Sequence, residues 1–187
     1  MKLPQPKREG GMAFNEVVSN RKSTRTFDNS VKVPHEILSQ ALWTCNGVRG
    51  GIFRTVPSAK NWHPLLIYVF VEDGVYKYDP IEHVLIKLID GDHRSKTGTQ
   101  TKIVTSARIN FVFIGDLKKK TIIPTDEKKK KACLLDVGHI TMALSLFAAA
   151  NKMNGVVRGE IDAESLLKFL GLNSEEYFFT LAFSLGY

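Results

Sequence analysis

Asp136-Val137-Gly138-His139-Ile140-Thr141-Met142-Ala143-Leu144-Ser145-Leu146-Phe147-Ala148-Ala149-Ala150-Asn151 is the longest helix signal in the sequence. Val137, Ile140, Leu144, Phe147 and Ala148 recur at the spacing of one helical face, and Met142, Leu146 and Ala149 cover another. A helix that is apolar nearly all round has no side to offer water, so it lies centrally or in a contact between subunits. His139 within it reads as a hydrogen-bonded core or interface histidine before a ligand or a base.

The segments around this helix supply the sheet it needs. Leu65 to Val71 is a near-continuous apolar strand, which implies burial on both faces. Glu72-Asp73-Gly74 turns it into Val75-Tyr76-Lys77-Tyr78 as a hairpin. Ile109 to Ile114 and Tyr177 to Ser184 are further strands. Phe14, Val17 and Val18 mark a helix that Asn20 closes. Another starts near Pro34, buries Ile37, Leu38, Ala41 and Leu42, and runs out at Asn46-Gly47. Val84, Leu85 and Leu88 predict a short helix across Glu82 to Ile89, and Asp162 caps a last one ending at Leu170-Gly171. Val48 to His63 reads as an ordered loop, Asp90 to Thr105 as a polar loop or a lid, and Gly155-Val156-Val157-Arg158-Gly159 as a tight connection. Helices and strands mix without strict alternation, which predicts an α+β layered architecture in one domain over residues 1–187.

Composition narrows the function. With 43% hydrophobic, 10% aromatic and 24% charged residues, the chain is a folded domain. The formal charge is +7, yet residues 118–131 alone hold seven lysines against Asp126 and Glu127, so the excess sits almost wholly in one segment. No aromatic is interleaved there to stack on bases, so a solvated loop and helix start is the expectation and nucleic acid is not a predicted partner. No run approaches the roughly 18 apolar residues of a membrane span. Met1 to Gly11 lacks the apolar run of a signal peptide. Cys45 and Cys133 form no metal-type pair and read as reduced packing residues, so a cytoplasmic protein with no membrane partner and no metal is expected. His-Glu-x-x-His, Walker A, Gly-x-Ser-x-Gly and Rossmann glycine patterns are all missing.

Three features remain. Arg21-Lys22-Ser23-Thr24-Arg25 packs three cations and two hydroxyls into five residues. If extended, it projects Arg21, Ser23 and Arg25 to one side, a set suited to a phosphate. Pro57-Ser58-Ala59-Lys60-Asn61 precedes the first long strand, and the apolar helix leads into Gly155-Val156-Val157-Arg158-Gly159. In this order and spacing the sequence resembles the nitroreductase family of FMN-dependent oxidoreductases. Val75 to Pro80, Gly91-Asp92-His93-Arg94 and Asp136-Val137-Gly138-His139 resemble the branch similar to thiazole- and oxazole-forming dehydrogenases.

The resemblance implies a layered sandwich with a mixed, mainly antiparallel sheet flanked by helices, built as an intertwined homodimer with FMN at the subunit interface. By position, Arg21, Lys22, Ser23 and Arg25 would hold the phosphate and ribityl chain. Pro57, Ser58, Ala59 and Asn61 of the other subunit would line the isoalloxazine edge. Val157, Arg158 and Gly159 would bring backbone N–H groups to flavin N5 and O4. The implied activity is ping-pong hydride transfer from NAD(P)H through N5 to a nitroaromatic, a quinone or a similar small acceptor, with no obligatory side-chain acid or base. Many members add basic residues near the C-terminus where this sequence has Gly186-Tyr187, which leaves the grip to Arg21 and Arg25. Arg158 stands where relatives often carry an acidic or uncharged residue, and its side chain is expected to favour anionic substrates. The alternatives are a flavin-dependent dehydrogenase of a small organic or peptide substrate, and a non-catalytic FMN-binding or sensing protein.

Overall fold

The computed structural model describes all residues from Met1 to Tyr187. Its centre is a six-stranded sheet in the order β5-β4-β3-β6-β8-β7, with every neighbouring pair antiparallel. The strands are β3 (Leu65–Val71), β4 (Gly74–Asp79), β5 (Val84–Asp90), β6 (Ile109–Asp116), β7 (Asn154–Arg158) and β8 (Tyr177–Gly186). A small hairpin, β1 (Val48–Gly50) with β2 (Phe53–Arg54), stands apart from it. The helices are α1 (Phe14–Asn20), α2 (His35–Asn46), α3 (Thr101–Ser106), α4 (Asp126–Ala150) and α5 (Ala163–Phe169).

The pleat explains the unbroken apolar strands. Ile67 and Val69 of β3, Phe111 and Phe113 of β6, and Phe183 and Leu185 of β8 join the main core, which α2 and α4 complete. Their neighbours Tyr68, Phe70, Val112, Ile114 and Ala182 point the other way and pack on Leu166 and Leu167 of α5. Successive side chains take opposite faces, so a strand covered on both sides must be apolar throughout.

Three expectations are corrected. Glu82 to Ile89 is the edge strand β5, in which Leu85 is buried while Ile86 and Leu88 are exposed. A helix so short is marginal in isolation, whereas β4 offers a ready partner through Tyr78↔Leu85 and Asp79↔Val84. Gly155 to Arg158 is the edge strand β7. Helix α4 starts at Asp126, where Thr125 Oγ1 accepts the Lys128 N–H, so the second lysine cluster lies inside the helix. In addition, Val48 to Arg54 forms the β1–β2 hairpin within the expected loop. The polar segment after β5 holds α3 and a short turn at Arg94–Thr97, in which Arg94 and Thr97 are buried.

Helix α4 is long and apolar enough to cross a membrane, and half of its most apolar stretch is buried inside this fold. Val137, Ile140, Leu144 and Phe147 face the core, while Leu134, Leu135, His139 and Met142 are exposed on the single chain. Cys45 and Cys133 are buried free thiols.

Candidate functional site

The basic stretch leaves α1 at Arg21, whose backbone is extended, and runs as a strap along the free edge of β7. Thr24 N–H donates to Gly155 O at 3.0 Å, and Asn154 Nδ2 donates to Thr26 O at 3.0 Å. Gly155 is required there: a Cβ would stand 2.7 Å from the Phe183 ring and 3.1 Å from the Ala148 Cβ of α4. The strap is therefore fixed by its backbone, and the side chains of Arg21, Lys22, Ser23 and Arg25 are left without a partner. The five ion pairs of the chain all lie elsewhere.

Alternate residues of a strand direct their main-chain groups to the same edge. Gly155 O faces the strap, so the N–H and C=O of Val157 face it too and have no strand beyond them. Cations, a hydroxyl and an open peptide edge thus converge along β7, which is the donor set an organic phosphate with a polar ring edge requires.

Arg158 corrects the sequence reading. Its side chain points to the opposite face and is buried. Nε donates to Ser184 Oγ at 2.8 Å, Nη2 to Asn110 Oδ1 at 3.1 Å, and Nη1 to the Thr97 carbonyl. No carboxylate pairs with it, and burial lowers its pKa from 12.5 to about 10. Such a guanidinium cannot touch a substrate on the strap side, so a preference for anionic substrates does not come from Arg158. Val157, 37% exposed, and Gly159 remain on the open side.

The Pro57 to Asn61 loop is anchored elsewhere. Ser58 Oγ donates to Asp136 Oδ2, Ala59 N–H donates to Asp136 Oδ1 at 3.0 Å, and His63 N–H donates to Ser58 Oγ at 2.7 Å. The Ser58 hydroxyl is thus spent on holding the loop to α4, while Pro57 and Asn61 are exposed. Lys60, Asn61 and His63 all have positive φ, at 54°, 53° and 49°. Consecutive non-glycine residues in that region store strain of the kind found at ligand sites. Asp136 was legible only as part of a motif, and its role as the loop's anchor appears in the fold alone.

Within one chain the two halves stay apart. Gly155 packs beside Ala148, and the helix from Asp136 to Ala148 spans ~18 Å at the ordinary rise. A cavity of about 820 Å³ between α2, α4 and the N-terminal segment includes none of the residues assigned to the cofactor from the sequence.

Comparison with known proteins bears on these observations. Residues 18–187 match the model of the nitroreductase family. A protein of Methanocaldococcus jannaschii, provisionally named a nitroreductase, is 30% identical over 149 residues, covering 73% of either chain. The crystal structure of another protein so named, from Ralstonia eutropha, superposes with a TM-score of 0.90 at 29% identity, over 99% of this chain and 87% of that one. A third, from Desulfovibrio desulfuricans and solved in complex with FMN, superposes with a TM-score of 0.67 at 21% identity, over 95% and 87% of the two chains.

Proposed function

This chain belongs to the nitroreductase family, and from that premise we propose that it is an FMN-dependent oxidoreductase using a reduced nicotinamide donor and a small organic acceptor. The observation that carries the reading is the strap, whose cations Arg21 and Arg25 are unpaired although its backbone is fixed to β7. When bound, FMN supplies two-electron chemistry, accepting a hydride equivalent from NAD(P)H and passing it to a nitroaromatic, a quinone or a similar compound. Arg21, Lys22, Ser23 and Arg25 hold the phosphate and ribityl chain. The Val157 and Gly159 main chain offers fixed donors at the polar ring edge, where negative charge is stabilised without a titrating side chain. Arg158 contributes its backbone only.

The second half of the site comes from a partner subunit. Phe14, Leu134, Leu135 and Met142 leave large apolar side chains 71%, 54%, 59% and 49% exposed on α1 and α4. A second copy packed on this face would cover them and bring its own Pro57 to Asn61 loop, with Pro57 and Asn61 outward and Ala59 half-buried behind them, to the flavin on the first. The two buried thiols suit a reducing, cytoplasmic setting.

The test is the visible spectrum of the purified protein, before and after NADPH without oxygen. A flavin spectrum that bleaches supports the reading. Failure to bind added FMN removes it. Arg21→Ala is expected to weaken FMN binding about 10- to 100-fold, the worth of one charge-assisted hydrogen-bonding side chain, as read by flavin fluorescence.

A further inference from the structure

A second charged feature lies outside the flavin grip. A cavity of about 490 Å³ opens between the β1–β2 hairpin, the loop at residues 60–63 and the turn that follows β6. Arg54, Lys60, Lys119 and Lys120 line it together with His63, and no carboxylate does. Its rim carries Ile52, Ile81 and Ile122, which are 70%, 66% and 80% exposed.

The pocket is built rather than a chance crowd of surface lysines. Asp116 Oδ1 accepts the N–H groups of Lys118 and Lys119 at 3.0 and 3.2 Å, and Trp62 Nε1 donates to Lys119 O at 3.1 Å. These bonds fix the turn, and Lys119 Nζ reaches across to His63 O at 2.6 Å. Arg54 Nη1 donates to Asn46 O at 3.0 Å, leaving its other donors free. Arg54 is partly withdrawn from water, whereas Lys119 is exposed and held in place by its bond to His63 O. Burial and the Arg54 charge lower the Lys119 pKa, and burial with Arg54 and Lys119 lowers that of His63.

Carboxylates that act on these groups are engaged elsewhere. Asp116 serves its own turn, Asp79 accepts from Ile81 N–H and Glu82 N–H, and Asp136 holds the Ser58 loop. Their charges offset the cluster only from outside the cavity, no carboxylate lines it, and the partly buried Arg54 and His63 gain when an anion joins them. The apolar rim adds that the anion has a hydrophobic body.

We propose that this pocket binds an organic anion, an apolar or aromatic group carrying a phosphate or carboxylate, with Arg54 and Lys119 holding the anion and the isoleucine rim its body. Lys60 and Asn61 belong both to this cavity and to the loop assigned to the flavin edge, so the natural occupant is an anionic redox substrate. That last step rests on the flavin reading, whereas the binding does not.

The binding test follows the His63 imidazole resonances by NMR while phenyl phosphate is added to the full-length protein. Saturable binding is expected, with the His63 titration midpoint moving upward because the anion offsets Arg54 and Lys119. Phenol and inorganic phosphate, each lacking one half of the ligand, should bind at least about tenfold more weakly. Lys119→Gln should weaken phenyl phosphate by a similar factor. The pair Lys60→Asn and Lys120→Gln should do so too, without touching a bond of the fold, because Asn tolerates the positive φ at position 60. Removing the same charge from α4 through Lys128→Gln and Lys131→Gln should change nothing. No saturable shift, or an equal loss in the α4 variant, overturns the site.

The kinetic test compares 4-nitrobenzoate with neutral 4-nitrobenzamide. The Lys120→Gln protein, altered outside the flavin-edge loop, should show a raised KM for the benzoate only. Equal change for both sinks the substrate role. Binding of phenyl phosphate without reduction of either compound sinks the flavin reading and leaves the anion site standing.

Discussion

A guanidinium buried without a carboxylate carries a heavy desolvation cost, and Arg158 meets it with bonds to a turn and two strands. Ser184 Oγ accepts from Nε and itself donates to Asn110 Oδ1 at 2.6 Å, while Asn110 Nδ2 donates to Val104 O at 2.8 Å. Gly98 leaves room for the head group, since a Cβ there would collide with Nη1. The network ties the Arg94–Thr97 turn and α3 to the back of the sheet. Arg158→Met removes the charge but orphans the Thr97 carbonyl and takes one of the two donors from Asn110 Oδ1, which keeps Ser184 Oγ, so a loss of about 2–3 kcal/mol is expected. Urea unfolding measures it, and Arg158→Met should leave the ratio of anionic to neutral acceptor turnover unchanged. The sequence could not have supplied this. Arg158 sits three residues beyond Gly155 on a strand whose register decides its face, and a one-residue difference in register exchanges solvent for core.

At the scale of elements, what was legible followed from how much of an element's pattern is local. Helix α2, with Pro34 before it and Gly47 after it, carries its limits in its own residues, as does α5 behind the Asp162 cap. Strand β5 does not: Val84, Leu85 and Leu88 satisfy a helical face, and only the presence of β4 decides otherwise. The lysine-rich first turns of α4 lack an apolar face to reveal them, so the helix was legible only from where its buried side begins. The face of α4 left open on one chain gives the sharpest prediction for this level. Leu135→Glu places a charge in the proposed subunit contact, and the protein should elute as a monomer in size-exclusion chromatography and lose bound FMN. A dimer that persists with FMN in place would move the interface elsewhere.

For the whole molecule, the two-sided core makes stability depend on buried neutral acids. Burial pushes the Cys133 thiol from 9.0 up to about 12 and the Cys45 thiol upward as well, and it raises Tyr68 from 10.0 to about 12. Each folded-state pKa lies above its unfolded value. The stabilisation is therefore complete below the unfolded pKa and is lost as pH climbs towards the folded one, because the unfolded chain sheds its proton first. The melting temperature should begin to fall near pH 9. With Cys45→Ala and Cys133→Ala the decline should start about one unit later, where tyrosine titrates; an unchanged onset would show that the thiols do not govern it. The layered α+β architecture was legible because apolar runs covered on both faces announce a sandwich. The cations and loops of the proposed site were legible, but not the anchoring of Ser58 to Asp136 or the Arg54 and Lys119 pocket, which exist only once distant segments meet.

The docking of the strap on β7 also fixes an order of events in time. Strand β7 has one neighbour in the sheet, β8, so the edge that receives Thr24 forms only after the last strand has been made. The Tyr187 carbonyl then accepts Asp28 N–H at 2.6 Å and secures the far end of the strap. From Thr26 to the end of β8 at Gly186 the chain runs 186 − 26 = 160 positions, so at cellular rates of synthesis the strap waits for ~8–32 s before it has an edge to dock on. A chain made only as far as β6 presents the charges of Arg21 and Arg25 without the edge that fixes their backbone.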